Sequence, residues 1–140
     1  MNALYTTEAL ATGGGRDGRV EVAGSDLAFD LAVPQAMGGS GNGANPEQLF
    51  AAGFAACFHS AVQLVARQRK VTVTGSSVGG RVSIGQTEDG GFGLAVELEV
   101  TLPGVEREAA QEIVDAAHQV CPYSNATRGN IDVKVSVTEG

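Results

Sequence analysis

The sequence predicts an α+β fold, with helices segregated against a mostly antiparallel sheet. Two observations carry this. Apolar residues alternate with period two in several separate stretches, as in half-buried strands, while two other stretches show helical spacing. The order is strands, long helix, strands, helix, strand, which is an α+β plan. At 140 residues and 43% hydrophobic, the chain suits one domain, 1–140, with room for a real core. No internal repeat or linker divides it.

Val20 and Val22 begin the strand pattern, and Leu27, Phe29, Leu31 and Val33 continue it. The glycine-rich stretch Gly13–Gly18 and Gly24-Ser25-Asp26 read as turns. Pro34 through Gly43 reads as a loop. Asn45 is a good N-cap, Pro46 suits the first helical position, and the Glu47 carboxylate favours the helix dipole. Phe50, Gly53, Phe54, Cys57, Phe58, Ala61, Leu64 and Val65 then recur at helical spacing. The first half of this helix is apolar nearly all round, as in a helix buried on more than one side. Arg67, Arg69 and Lys70 would form its cationic last turn. Strands return at Val71–Val73 and Val78–Ile84. The clearest runs through Leu94, Val96, Leu98, Val100 and Leu102 and stops at Pro103-Gly104. A second helix covers about Glu106 to Val120, with Ala110, Ile113, Val114, Ala117 and Cys121 on one stripe. Pro122 breaks or restarts it. Ile131, Val133, Val135 and Val137 form the last strand.

Several function classes fall away. The net charge is −7, which repels a phosphate backbone, so no nucleic-acid partner is expected. No basic stretch followed by an apolar one opens the sequence, so no signal peptide is expected. The longest apolar run, Leu49 to Phe58, is too short to span a bilayer, so a buried core helix and no membrane partner are expected. The expected location is the cytoplasm. There, two cysteines are more naturally thiols or a transient catalytic disulfide than a structural staple.

Cys57 lies mid-helix and Cys121 at the end of the second helix, each on an apolar stripe. Both could be small buried hydrophobes. Three features favour reactive thiols. Cys121 precedes Pro122, and a thiol at the start of a helical turn meets unpaired N–H groups that stabilise a thiolate. Arg16 sits in a glycine-rich loop that could fold over a pocket. Glu47 begins the helix that holds Cys57. A free thiol is mostly protonated at neutral pH and burial raises its pKa further, whereas a guanidinium favours the thiolate. A carboxylate alone would oppose ionisation, but Glu47 could hold the Arg16 guanidinium through a bidentate contact. Glu47 and Cys57 are ten residues apart, about 15 Å along a straight helix. Either the chain bends between them, near Gly53, or Glu47 serves the Cys57 of a second subunit. The second option is favoured, because a helix apolar all round needs another surface to bury it.

Four segments then carry a likeness: TGGGRDG at Thr12–Gly18, the loop GGSGNGANP, NPEQLFAAGFAACF at Asn45–Phe58 and VCPYSNATRGNIDV at Val120–Val133. Together they resemble the organic hydroperoxide resistance proteins of the OsmC-like superfamily, essentially end to end. The resemblance implies an intertwined homodimer, with sheets wrapped around long central helices and two active sites at the subunit interface. It matches Cys57 to the peroxidatic cysteine, Cys121 to the resolving cysteine, Arg16 to the activating arginine and Glu47 to its partner. It implies organic hydroperoxides, alkyl and fatty-acid types, as substrates. No bound cofactor is implied, and dihydrolipoamide or a lipoylated protein would be the reductant. Phe50, Phe54 and Phe58 could supply an apolar wall for an alkyl chain, or simply be core.

Other residues yield less. Cys57 and His59, two apart on a helix, point to opposite sides, and His118 with Cys121 makes only one pair where closed zinc sites take four ligands. No metal is expected. Ser60, Ser124 and Asn125 are read as local hydrogen-bonding groups, Asp17 and Arg19 as solvated loop charges, with positioning of the loop as the alternative for Asp17, and Arg128 and Asp132 as surface or structural charges. Two alternatives to an enzyme remain: a redox sensor or binding protein using the same cysteine pair, and a structural dimer with inert thiols.

Overall fold

Val20 and Phe29, both expected on strands, are partners across an antiparallel pair. They belong to the first of two units into which the chain divides, Met1–Leu49 and the part from Phe50 onward. The structure is a computed structural model and describes residues 1–138.

The first unit holds a three-stranded sheet of β1 (Ala9–Thr12), β2 (Arg19–Val22) and β3 (Ala28–Asp30), antiparallel throughout, in the order β1-β2-β3. The expected strand through Val33 stops at Asp30. Leu31 makes only an isolated bridge to Ala44, and the Val33 N–H donates to Asp17 Oδ1 at 3.0 Å. A side chain thus takes the donor that a sheet ladder would need. β1 was not anticipated, because its residues are exposed on both faces and carry no alternation.

Helix α1 (Pro46–Gln68) begins in this unit and continues into the next. Its start is a capping box: the Gln48 N–H donates to Asn45 Oδ1 at 2.8 Å, and the Asn45 N–H donates to Gln48 Oε1 at 3.0 Å. Its end is a Schellman motif. Lys70 takes a left-handed φ of 59°, its N–H donates to the Arg67 carbonyl, and the Val71 N–H donates back to the Ala66 carbonyl. Two expectations are corrected here. Arg69 and Lys70 lie beyond the helix, and Val71–Val73 is not a strand. The Val71 N–H is already committed to the helix, so the segment packs Val71 and Val73 against the core without a ladder. At 23 residues with an 18-residue stretch of mean hydropathy 1.7, α1 is long and apolar enough to cross a membrane by length and composition. That exceeds the ten-residue run seen in the sequence. Phe54, Phe58, Ala61, Val62, Val65 and Ala66 are nevertheless buried against protein.

The second unit adds β4 (Ser77–Gln86), β5 (Phe92–Thr101), α2 (Arg107–Val120), α3 (Pro122–Thr127) and β6 (Val133–Thr138). β4 and β5 form an antiparallel pair, and β6 lies parallel to β5. Val96, Leu98 and Val100 of β5 face inward, as their alternation predicts. They meet the α1 residues and Ala110, Ile113, Val114 and Ala117 of α2 in one core. Pro122 restarts a helix after Cys121, which places that thiol at a corner between two helices.

Candidate functional site

Cys121 closes one helix and opens the next. Its N–H donates to the Ala117 carbonyl, and its own carbonyl accepts the Asn125 N–H, both at 2.9 Å. This corner delivers its sulfur to Cys57. The two Sγ atoms, 64 positions apart in the chain, lie 3.6 Å apart. Both cysteines are free thiols, Cys121 fully buried and Cys57 half-buried. The gap exceeds a disulfide bond length of about 2.05 Å by an amount a small side-chain movement covers.

A pocket of about 280 Å³ opens on Cys57, lined also by Ser60, Ala61, Leu64, Val120 and Pro122. The wall is therefore apolar except for Ser60. Phe54 and Phe58 do not line it: both are fully buried in the core. Phe50 is half-buried, with its ring 6.2 Å from that of Tyr123. Leu64 and Val120 supply the apolar surface instead, and sequence reasoning missed them in this role. A signal existed. Ser60, Ala61 and Leu64 follow Cys57 at helical spacings of three, four and seven, while Val120 and Pro122 flank Cys121.

Burial pushes the Cys57 thiol up. The Tyr123 backbone N–H, in the first turn of α3, opposes this, and Cys121 adds to the rise. The sequence assigned the start of this helix to Cys121, whereas the fold turns the Tyr123 N–H on Cys57. The ring of Tyr123 explains Gly53, since a Cβ at Gly53 would sit 3.1 Å from the Tyr123 hydroxyl oxygen. Gly53 is not a bend, because α1 is continuous from Pro46 to Gln68.

In the first unit, Arg16 and Glu47 form the expected bidentate pair. Arg16 Nη1 donates to Glu47 Oε2 and Nη2 to Oε1, each at 2.7 Å. Arg16 lies in a short 3-10 turn, Gly15–Asp17, entered through Gly13 and Gly15 at positive φ. Gly18 leaves the turn so close to Thr12 that a Cβ would lie 2.2 Å from its carbonyl oxygen. Asp17 fastens the turn through its bond to the Val33 N–H. The Arg16 guanidinium holds the Glu47 carboxyl below its usual range against the opposing effect of burial.

The remaining candidates have structural partners. Arg19 is not a free loop charge, for it pairs with Glu21 at 3.0 Å and Asp30 at 2.8 Å on the sheet. His59 Nε2 shares a hydrogen bond with Ser76 Oγ at 2.9 Å, and His118 Nδ1 with Ser124 Oγ at 2.8 Å. Among the described residues, no group of three or more His, Cys, Asp or Glu is placed to hold a metal ion.

Comparison with known proteins agrees over nearly the whole chain. Residues 39–136 match the OsmC-like protein family. The organic hydroperoxide resistance protein of Xanthomonas axonopodis pv. citri is 52% identical over 136 residues, covering 96% of this chain and 94% of that protein. The crystal structure of an organic hydroperoxide resistance protein from Elizabethkingia anophelis, with crystallant-derived thiocyanate bound, is 51% identical. It covers 100% of both chains with a TM-score of 0.95. That of the organic hydroperoxide resistance protein OhrB of Bacillus subtilis is 46% identical, covers 97% of this chain and 100% of that one, and gives a TM-score of 0.88. The OsmC-like α+β fold of the single chain, as the four motifs implied it, is thus the fold found here.

Proposed function

This chain belongs to the OsmC-like protein family, and from that premise we propose that it is a thiol-dependent peroxidase that reduces organic hydroperoxides, alkyl and fatty-acid types, to alcohols. The observation that carries this reading is the pair of free sulfurs at 3.6 Å beside an apolar pocket. The Cys57 thiolate attacks the distal oxygen of ROOH, the O–O bond breaks, and the alkoxide takes a proton and leaves as ROH. Cys57 becomes a sulfenic acid. The Cys121 thiolate attacks that sulfur, the hydroxyl leaves as water on protonation, and a Cys57–Cys121 disulfide forms. A dithiol of the dihydrolipoyl type, free or on a lipoylated protein, restores both thiols by exchange.

Two copies build each site. Three observations support this. Among the described residues, the groups that shift Cys57 include no cation, and burial raises its thiol, whereas a cation would favour the thiolate. The Arg16–Glu47 pair is already assembled, yet Glu47 stands ten residues along an unbroken helix from Cys57. Only 33% of the most apolar stretch of α1 is buried within its own chain. A homodimer that brings the Arg16–Glu47 pair of one subunit to the Cys57 of the other accounts for all three. The expected compartment is the cytoplasm, where lipoyl dithiols are kept reduced.

The test is turnover of cumene hydroperoxide with dihydrolipoamide. The wild type should cycle, Cys57→Ser should consume none, and Cys121→Ser should react once and accumulate over-oxidised Cys57. A single stoichiometric oxidation in the wild type would mark a sensor, and equal tolerance of both substitutions would remove the assigned roles.

A further inference from the structure

His118 takes no part in the proposed chemistry, yet it ties together the corner that carries Cys121. It lies three residues before Cys121 on α2, and its bonding partner Ser124 lies three residues after, on α3. Ser124 is fully buried, and its hydroxyl lies 2.8 Å from His118 Nδ1. A hydroxyl can donate or accept, so this bond survives in either tautomer of the imidazole. Arg128, just past α3, braces the same corner by donating to the His118 carbonyl and, at 2.8 Å, to Asn125 Oδ1. The His118 ring also packs on Phe58, the residue next to Cys57, with centroids 6.3 Å apart. One imidazole thus touches both elements of the cysteine corner and a neighbour of the other thiol.

We propose that His118 is a positioning residue for disulfide closure: through Ser124 it holds the α2–α3 corner so that Cys121 stands within reach of the Cys57 sulfur. The inference rests on the roles given to the two cysteines above. Closure requires Cys121 to attack along the S–X axis of oxidised Cys57, where X is the leaving group. A corner free to open would keep both thiols reactive while making their productive encounter rare. His118 therefore governs the second half of the oxidative cycle and leaves the first attack alone.

The test needs no hydroperoxide. With 5,5′-dithiobis(2-nitrobenzoate), Cys57 attacks and releases one thionitrobenzoate. Cys121 then attacks the mixed disulfide and releases a second, leaving the Cys57–Cys121 disulfide. In the intact protein, His118→Phe keeps a ring against Phe58 but loses the bond. It should leave the first release within about twofold of wild type and slow the second by about tenfold, the factor an ordinary hydrogen bond corresponds to. His118→Asn, which restores a polar atom near the Nδ1 position, should recover most of the closure rate. Ser124→Ala should match His118→Phe, with the double variant no slower than either alone. Should His118→Phe fail to fold, Ser124→Ala reports the same bond with minimal change in volume. An unchanged second release, equal slowing of both releases, or failure of His118→Asn to rescue would each overturn the inference. A protein that closes as expected but never consumes hydroperoxide would instead overturn the peroxidase reading.

Discussion

From Phe50 onward, fifteen residues, from α1, β5 and α2 together with Leu102 and Cys121, form a buried cluster, whereas in Met1–Leu49 the buried residues are Ala32 and Asn45. Leu10 and Leu27 of the first unit stand 67% and 57% exposed. That unit is held by ladder hydrogen bonds, by Arg16–Glu47 and Arg19–Asp30, and by the Asp17 tether. The second unit owns the hydrophobic term that dominates folding, while the first owns directed polar contacts. The two thiols sit where packing is tight, and the guanidinium sits where hydrogen bonds alone set its place. In the proposed cycle, rigid packing suits two sulfurs that close to a bond length. In the proposed dimer, a polar turn suits a charge presented to the partner subunit.

The comparison breaks first in the core. Leu98→Ala, at a fully buried position, is expected to cost about 2–5 kcal/mol of unfolding free energy in urea. A loss below about 1 kcal/mol would show that the second unit does not carry the stability. Next comes the polar turn. Arg16→Ala should barely move the unfolding midpoint but should slow single-turnover peroxide consumption by about tenfold and raise the Cys57 titration. An unaltered thiol titration counts against activation by this arginine.

Smaller effects separate the two units by pH. His118 is held below its ordinary value of 6.5, by burial first and Arg128 second, with Asp115 opposing. The folded state prefers neutral imidazole, so its contribution is complete above 6.5 and is lost as pH falls below, where the unfolded chain takes the proton first. Glu47 is held below its ordinary value of 4.5 by the bond to Arg16. Its contribution is present above 4.5 and is lost as pH falls through the lowered folded value. Arg16 is about a third exposed, which weakens that second effect. In urea midpoints measured against pH, His118→Asn should flatten the slope just below neutrality and Glu47→Gln the slope near pH 4. A common response of both slopes to one variant would mean that the units do not titrate separately. The least effect belongs to Lys70→Gly, which should relieve the left-handed backbone and stabilise by about 0.5 kcal/mol. Destabilisation would show that the lysine side chain contributes more than the strain it bears.

Legibility followed range. The Asn45 cap, the restart at Pro122 and the alternation through Leu94–Leu102 were readable because each depends on neighbours a few positions away. Val71–Val73 was misread because its β-branched pattern competes with a Schellman cap whose decisive residue, Lys70, carries no glycine signal. Phe54 and Phe58 were legible as apolar, but whether an apolar side chain becomes pocket wall or core depends on what packs opposite. Tyr123 shows the same point more sharply, since its backbone N–H has no sequence signature of its own.

The sequence by itself determined the two long helices, the main strands, the Asn45 cap, two candidate thiols and a cation with its carboxylate, because periodicity and residue chemistry act locally. Only the tertiary structure decided that the sulfurs lie 3.6 Å apart, that Leu64 and Val120 rather than Phe54 and Phe58 line the pocket at Cys57, and that His118 braces the corner. The first two facts are products of packing between segments more than fifty residues apart, and the third of the way two successive helices meet at Cys121; close-packed interiors admit few alternatives once the elements have met.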